Sequence, residues 1–232
     1  MLKSPVEFVK DIKQGRHFVL FYENAEYSRS ICFEFLKSGM ENQEHSFYIT
    51  AKEDKDFFKN EFIEKMYGPN VIYQYNDTSN ARFKEDLFHG QNISDLASRQ
   101  VNRVGNINSE IVDIVKDIIQ EKQGDLVNKN NNSSDNNSSG SSSRLILRCI
   151  HKIETQNQIQ DNITWERNYR NIKLRQDLPN TSLICTYPVD KIIEVLEGKS
   201  KAYSPWMTDL LEIYDGVIYA RNNWTGAAFN FV

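Results

Sequence analysis

Short apolar runs alternate with helix-periodic segments along this chain, and this alternation limits the fold more than any other feature. Continuous apolar runs are typical of strands that are buried on both faces. Strands that alternate with helices through short connections indicate a parallel sheet with crossover helices. The sequence therefore predicts an α/β fold, a mostly parallel sheet flanked by helices on both faces. Its predicted strands are residues 17–22, 45–50, 71–75, 145–150, 182–187 and 216–219.

The segments between these runs have the spacing of amphipathic helices. Tyr27, Ile31 and Phe35 recur every four residues and predict a helix that ends at Gly39. Other helices are predicted over residues 4–13, 53–67, 107–123 and 162–175, and Ser204 with Pro205 is typical of a helix start. Residues 76–93 are polar and irregular and receive no assignment. The aromatic, uncharged tail of residues 222–232 is expected to pack on the body of the domain.

A low-complexity segment interrupts this pattern. Residues 128–143 are almost entirely Asn and Ser, a composition that cannot bury enough apolar surface to fold. The interpretation is a single domain of residues 1–232 with a disordered insert over residues 125–143. A linker to a second domain is the alternative.

Composition excludes several classes of protein. The net charge of −4 lacks the basic excess of a nucleic-acid-binding domain. Cys32, Cys149 and Cys185 lie in apolar stretches without a CxxC pair, which indicates buried thiols in a reducing compartment. No signal peptide and no membrane-spanning stretch is recognisable. The expectation is a cytoplasmic protein that binds neither nucleic acid nor membrane.

Catalytic and cofactor motifs are missing from the sequence. It contains no G-x-x-x-x-G-K-S/T loop, and His151 follows the fourth strand where an Mg²⁺-binding aspartate would stand. It contains no G-x-S-x-G elbow. Cys149 and His151 share a strand face, but a packed strand explains them better than a catalytic dyad. The four histidines lack metal-ligand spacing. No enzyme activity, cofactor or metal is predicted.

Ligands of open parallel sheets bind beyond the carboxyl ends of the strands. The residues expected at this edge form an aromatic, hydrogen-bonding rim suited to a small organic molecule: Tyr22, Glu23, Asn24, Thr50, His151 and Tyr187. His17 lies at the opposite end of its strand, so this argument does not include it. The alternative is that tyrosines, of which the chain has 11, merely occupy strand ends.

Several phrases together resemble a known family. They are GRHFVLFYE from residue 15, FLKSG from residue 35, FYIT from residue 47, WE from residue 165, LICTY from residue 183 and DGVIY from residue 215. Their order and spacing resemble the MEDS domain, the methanogen/methylotroph DcmR sensory domain, over nearly the whole chain. The positions that match its motifs are His17, Tyr22, Glu23, Tyr48, Glu166, Cys185 and Tyr187.

This resemblance implies a RecA/KaiC-like fold without a functional P-loop. It also implies a signal-input domain of a prokaryotic regulatory system that senses a small organic ligand, with a separate kinase or transcription regulator as the output partner. Two alternatives remain open. One is a non-catalytic interaction module derived from a RecA-like ATPase, with a partner protein or a homo-oligomer. The other is an unrecognised enzyme built on Glu23, His151 and Glu166.

Overall fold

The computed structural model describes residues 3–50, 88–92, 116, 120, 146–169, 171–198 and 204–231. Its helices in these ranges are α1 (Pro5–Lys10), α2 (Ala25–Glu41), α3 (Gln156–Tyr169), α4 (Asn171–Asp177), α5 (Val189–Gly198) and α6 (Ser204–Ile213). The strands are β1 (His17–Tyr22), β2 (His45–Thr50), β3 (Phe88–Asn92), β4 (Leu147–Lys152), β5 (Thr181–Pro188), β6 (Gly216–Ala220) and β7 (Gly226–Asn230).

The described strands form one sheet of seven, in the order β3-β2-β4-β5-β1-β6-β7. Neighbouring strands pair in parallel, except that β7 pairs antiparallel with β6 at one edge. The predicted α/β class with a mostly parallel sheet is confirmed. Strand β1 lies between β5 and β6, so its backbone is bonded on both sides.

The two faces of the sheet carry separate cores, because side chains of a strand alternate between faces. Phe18 and Leu20 of β1 pack in the core that includes residues of α1 and α2. Val19 points the other way, into the core that includes residues of α3, α5 and α6. Helices therefore cover both faces, as predicted. In the part of the chain that the structure describes, no helix is long and apolar enough to cross a membrane.

Several sequence predictions need correction. Helix α2 does not end at Gly39 but continues to Glu41. Residues 88–92, within the polar and irregular segment, form strand β3, and the predicted packed tail contains strand β7. The helix expected over 162–175 is two helices, α3 and α4, and the first starts earlier. The elements predicted over 53–67 and 71–75, and the insert at 125–143, lie outside the described residues.

A glycine stands inside the helix at position 39 because any side chain there would collide with Arg148. A Cβ atom at Gly39 would lie 2.5 Å from the Arg148 Cδ. The Arg148 side chain is 3 % exposed and forms an ion pair with the buried Glu44. It also donates to the Ser38 Oγ at 2.6 Å, the Ile12 carbonyl at 3.1 Å and the Phe35 carbonyl at 3.2 Å. Arg148 thereby ties β4 to α2 and to the end of α1.

Gly39→Ala is expected to lower the free energy of unfolding by about 1–3 kcal/mol, because the added methyl group must displace a held side chain. At an ordinary helix position the same change would stabilise the protein by about 1 kcal/mol. Urea denaturation followed by circular dichroism measures the difference. Glu41→Ala, at an exposed position of the same helix, is the control. A stabilised Gly39→Ala protein would contradict the close packing of Arg148 on α2.

Candidate functional site

The centre of the sheet brings His17 and Cys185 together. In the parallel register of β1 and β5, Val19 pairs with Cys185, and His17 lies two residues before Val19. The two side chains therefore share the face covered by α3. The His17 Nε2 lies 3.5 Å from the Cys185 Sγ. Both side chains are buried, at 3 % and 0 % exposure.

Helix α3 lays two more polar side chains over this pair. Asn162 and Glu166 are one helical turn apart and so face the same side. The Asn162 Nδ2 donates to the Glu166 Oε1 at 2.8 Å and also to the hydroxyl of Tyr187. Glu166 is 1 % exposed. We call the set His17, Asn162, Glu166, Cys185, Tyr187 and Tyr214 the buried polar cluster.

The ring of His17 is fixed from the side opposite Cys185. Its Nδ1 lies 3.1 Å from the carbonyl oxygen of Ile213, and its ring packs 4.5 Å from that of Tyr214. A proton on Nδ1 that donates to this carbonyl leaves the Nε2 lone pair directed at Cys185. Burial lowers the pKa of His17 to about 3. The imidazole is therefore neutral at physiological pH.

The thiol of Cys185 and the hydroxyls of Tyr187 and Tyr214 are held in their neutral forms. Burial raises the pKa of Cys185 well above its usual range, and the nearby Glu166 carboxylate raises it further. The same two causes, in the same order, raise the pKa of Tyr187 and of Tyr214. Without a bound cation these residues offer a thiol and two hydroxyls, not a thiolate nucleophile.

His151 lies beside the cluster, because it pairs with Cys185 across β4 and β5. Burial lowers the pKa of His151 to about 4, so this ring is also neutral. Among the described residues, its buried Nδ1 has no hydrogen-bond partner. Cys149 lies two residues earlier on the same strand, and burial raises the pKa of its thiol. The pair consequently lacks the activated thiol that a catalytic dyad needs.

The structure places the residues predicted for the ligand site in three different parts of the fold. Glu166, His151 and Tyr187 lie at or beside the buried polar cluster, with His17 and Cys185. Tyr22 and Tyr48 are buried on the opposite face of the sheet.

Glu23 and Asn24 lie in the connection from β1 to α2. Glu23 accepts hydrogen bonds from the Tyr219 hydroxyl and the Asn222 backbone, and Asn24 caps α2 by accepting from the Tyr27 N–H at 2.8 Å. Thr50 ends β2. The contacts of Glu23 are with residues in and after β6, whereas His151 and Glu166 lie at or beside the buried polar cluster under α3.

Sequence reasoning missed Asn162 and Tyr214. The signal for Asn162 was present, since it precedes Glu166 by four residues on a predicted helix. Tyr214 follows α6, just before Asp215, and only the tertiary fold carries its ring to His17.

A groove of about 490 Å³ opens elsewhere, beside α1. Its lining includes Lys10, Lys13, Glu44 and Arg148. Glu44 and Arg148 are committed to the ion pair that holds α2 on β4, so we assign this groove a structural origin. The buried polar cluster, rather than this groove, is therefore the candidate functional site.

Comparisons with known proteins give a similarity of structure only. No family model matches the chain, and no curated protein does. Among solved structures, the chain is similar to a KaiC-like protein from the hyperthermophilic archaeon Pyrococcus horikoshii, with a TM-score of 0.41 and 14 % sequence identity. The match covers 94 % of this chain and 77 % of that protein.

Proposed function

We propose that this chain is a ligand-sensing domain of a prokaryotic regulatory system, and that it binds a small organic molecule at the buried polar cluster. The observation that carries the proposal is the convergence of His17, Glu166, Cys185 and Tyr187 under α3. These four are also positions that resemble the motifs of the MEDS sensory domain. They come from three separate elements, so no single stretch of sequence requires them to meet.

A purely structural role explains this cluster poorly. A buried polar group that loses its partner costs about 1–3 kcal/mol, and apolar residues of similar size would fill the same space without that risk. The surroundings are apolar, since Val19 and Ile163 pack in the same core. A few polar groups in apolar surroundings are typical of sites that bind small amphipathic molecules.

Tyr187 connects the cluster to the sheet edge at which ligands of parallel sheets usually bind. Tyr187 lies near the carboxyl end of β5, and its hydroxyl joins the cluster through Asn162. Ligands of open α/β sheets enter from that edge. The proposed site therefore runs from the predicted edge at Tyr187 to His17 beneath α3. A separate kinase or transcription regulator would carry the output.

A thermal-shift screen with small one-carbon, halogenated and aromatic compounds, and with ATP, tests the proposal. A ligand at a hundredfold excess over its dissociation constant stabilises the folded state by about 2.7 kcal/mol. Tyr187→Phe, which removes only a hydroxyl, is expected to weaken the binding of a hit roughly fivefold to a hundredfold. Isothermal titration calorimetry measures the change.

Tyr48→Phe is the matched control, because Tyr48 is equally buried but lies on the opposite face of the sheet. It should leave the affinity unchanged. A loss of binding in Tyr48→Phe with normal binding in Tyr187→Phe would move the site to the α2 face. If no organic compound binds, the non-catalytic interaction module is favoured instead. A rise in the melting temperature with ATP would contradict the prediction that a chain without a phosphate-binding loop does not bind ATP.

A further inference from the structure

Three potential metal-ligand atoms meet within the buried polar cluster. They are the His17 Nε2, the Cys185 Sγ and a carboxylate oxygen of Glu166, and all lie within 4.8 Å of one another. Each side chain is at most 3 % exposed. The donors come from β1, α3 and β5. Because the three ligands lie on separate elements, they do not form a short motif in the sequence.

Their spacing suits one tetrahedral ion. Zinc binds thiolate sulfur at about 2.3 Å and imidazole nitrogen at about 2.0–2.1 Å. Two such ligands at a tetrahedral angle lie about 3.6 Å apart. The observed separation of the Cys185 Sγ and the His17 Nε2 is 3.5 Å. The two side chains therefore hold the separation that a shared ion requires, without rearrangement of β1 or β5.

His17 and Glu166 also have the hydrogen-bond partners that metal ligands usually have in proteins. A metal-binding histidine usually donates its second ring N–H to a carbonyl or carboxylate, which fixes the ring and its tautomer. The His17 Nδ1 has such a partner in the Ile213 carbonyl at 3.1 Å. Ligating carboxylates are in turn hydrogen-bonded. Glu166 accepts from the Asn162 Nδ2 at 2.8 Å.

We propose that His17, Glu166 and Cys185 form a binding site for one divalent transition-metal ion, with zinc as the ion that best suits a nitrogen, oxygen and sulfur ligand set. The Cys185 thiol loses one proton to the buffer as the Zn–S bond forms. A thiolate, a carboxylate and Zn²⁺ then sum to zero charge, which makes burial of the site far less costly. Three protein ligands leave a fourth position for water or an exogenous donor.

This inference goes beyond the proposed sensing function and is tested without any organic ligand. Metal analysis of the full chain, refolded after EDTA treatment in denaturant and supplied with Zn²⁺, is expected to find about one zinc per chain. Refolding with Co²⁺ should give a thiolate-to-cobalt charge-transfer band in the near ultraviolet and intense visible bands of tetrahedral cobalt. Cys185→Ala is expected to abolish the charge-transfer band. His17→Gln and Glu166→Gln should weaken binding tenfold or more.

Cys149→Ala is the matched control, because Cys149 is a buried thiol on the same sheet face and should leave the cobalt spectrum unchanged. X-ray absorption at the zinc edge of the wild-type protein keeps the test independent of how the variants fold. It should show one sulfur neighbour at about 2.3 Å and nitrogen or oxygen neighbours at about 2.0–2.1 Å. No bound metal, a zinc environment without sulfur, or a cobalt band that survives Cys185→Ala would overturn the assignment. A wild-type protein that binds an organic compound in EDTA but takes up no metal would overturn the metal site and leave the sensing function intact.

Discussion

Arg148→Met is expected to lower the free energy of unfolding by about 3–5 kcal/mol, because it leaves the buried carboxylate of Glu44 without its guanidinium. It also removes the donors to the carbonyl groups of Ile12 and Phe35. A domain is typically stable by only about 5–15 kcal/mol, so this is a large share of the total. Urea denaturation followed by circular dichroism and tryptophan fluorescence measures the loss.

Arg221→Met is the control for this experiment, since Arg221 is exposed beyond the end of β6 and its loss should matter little. The double variant Arg148→Met, Glu44→Leu separates the two contributions. Because it removes the stranded charge as well, it should regain much of the lost stability. If the double variant stays as unstable as Arg148→Met, the carbonyl contacts rather than the ion pair dominate. A loss below 1 kcal/mol in the single variant would contradict the network.

Asp215→Ala is expected to cost about 3 kcal/mol of stability. The Asp215 carboxylate is 4 % exposed and accepts from the His17 backbone N–H at 2.8 Å, from Arg16 at 2.9 Å and from Arg175. Hydrogen bonds that involve a charged group contribute about 1.5–3 kcal/mol, and the backbone N–H would be left buried without a partner. Chemical denaturation gives the magnitude.

Asp215→Asn is the matched comparison, because the amide oxygen can still accept from the His17 backbone N–H. Arg16 and Arg175 are each almost half exposed, so water can replace their partner at little cost. We therefore expect a loss of only about 1 kcal/mol for Asp215→Asn. Equal losses in the two variants would show that the arginine charges, not the backbone contact, determine the effect.

The central strands were predictable because burial on both faces leaves a clear signature. Residues 17–22 and 182–187 are largely apolar, and both form inner strands of the sheet. Edge strands leave a weaker signature in the sequence. Strand β7 is short, is exposed at several positions and contains Gly226 and two alanines, so nothing distinguished it from a packed tail. Gly39 misled the prediction because a glycine that ends a helix and one that admits a neighbour look alike in sequence.

The sequence indicated some members of the buried polar cluster but not where they meet. The strand-end argument points to Tyr187, whereas His17, Glu166 and Cys185 come from the family resemblance. The argument from strand ends left His17 out, because it assumes that a ligand stays at the carboxyl edge. The structure joins His17 to Cys185 across the sheet face under α3. Helix packing decides that arrangement, and the periodicity of one segment cannot reveal it.

The central position of β1 has a consequence for the way this chain is made. His17 at the start of β1 bonds to Asp215, which is 198 residues farther along the chain. A ribosome that adds about 5–20 residues per second needs on the order of 10–40 s to synthesise that interval. For most of this time the apolar six-residue strand β1 has neither of its two neighbours, because β5 begins at residue 181 and β6 at residue 216. Pairing between such distant segments also slows folding itself. The first strand of the newborn chain therefore stays unpaired until β5 and β6 are made, and exposed apolar segments of this kind are what chaperones protect.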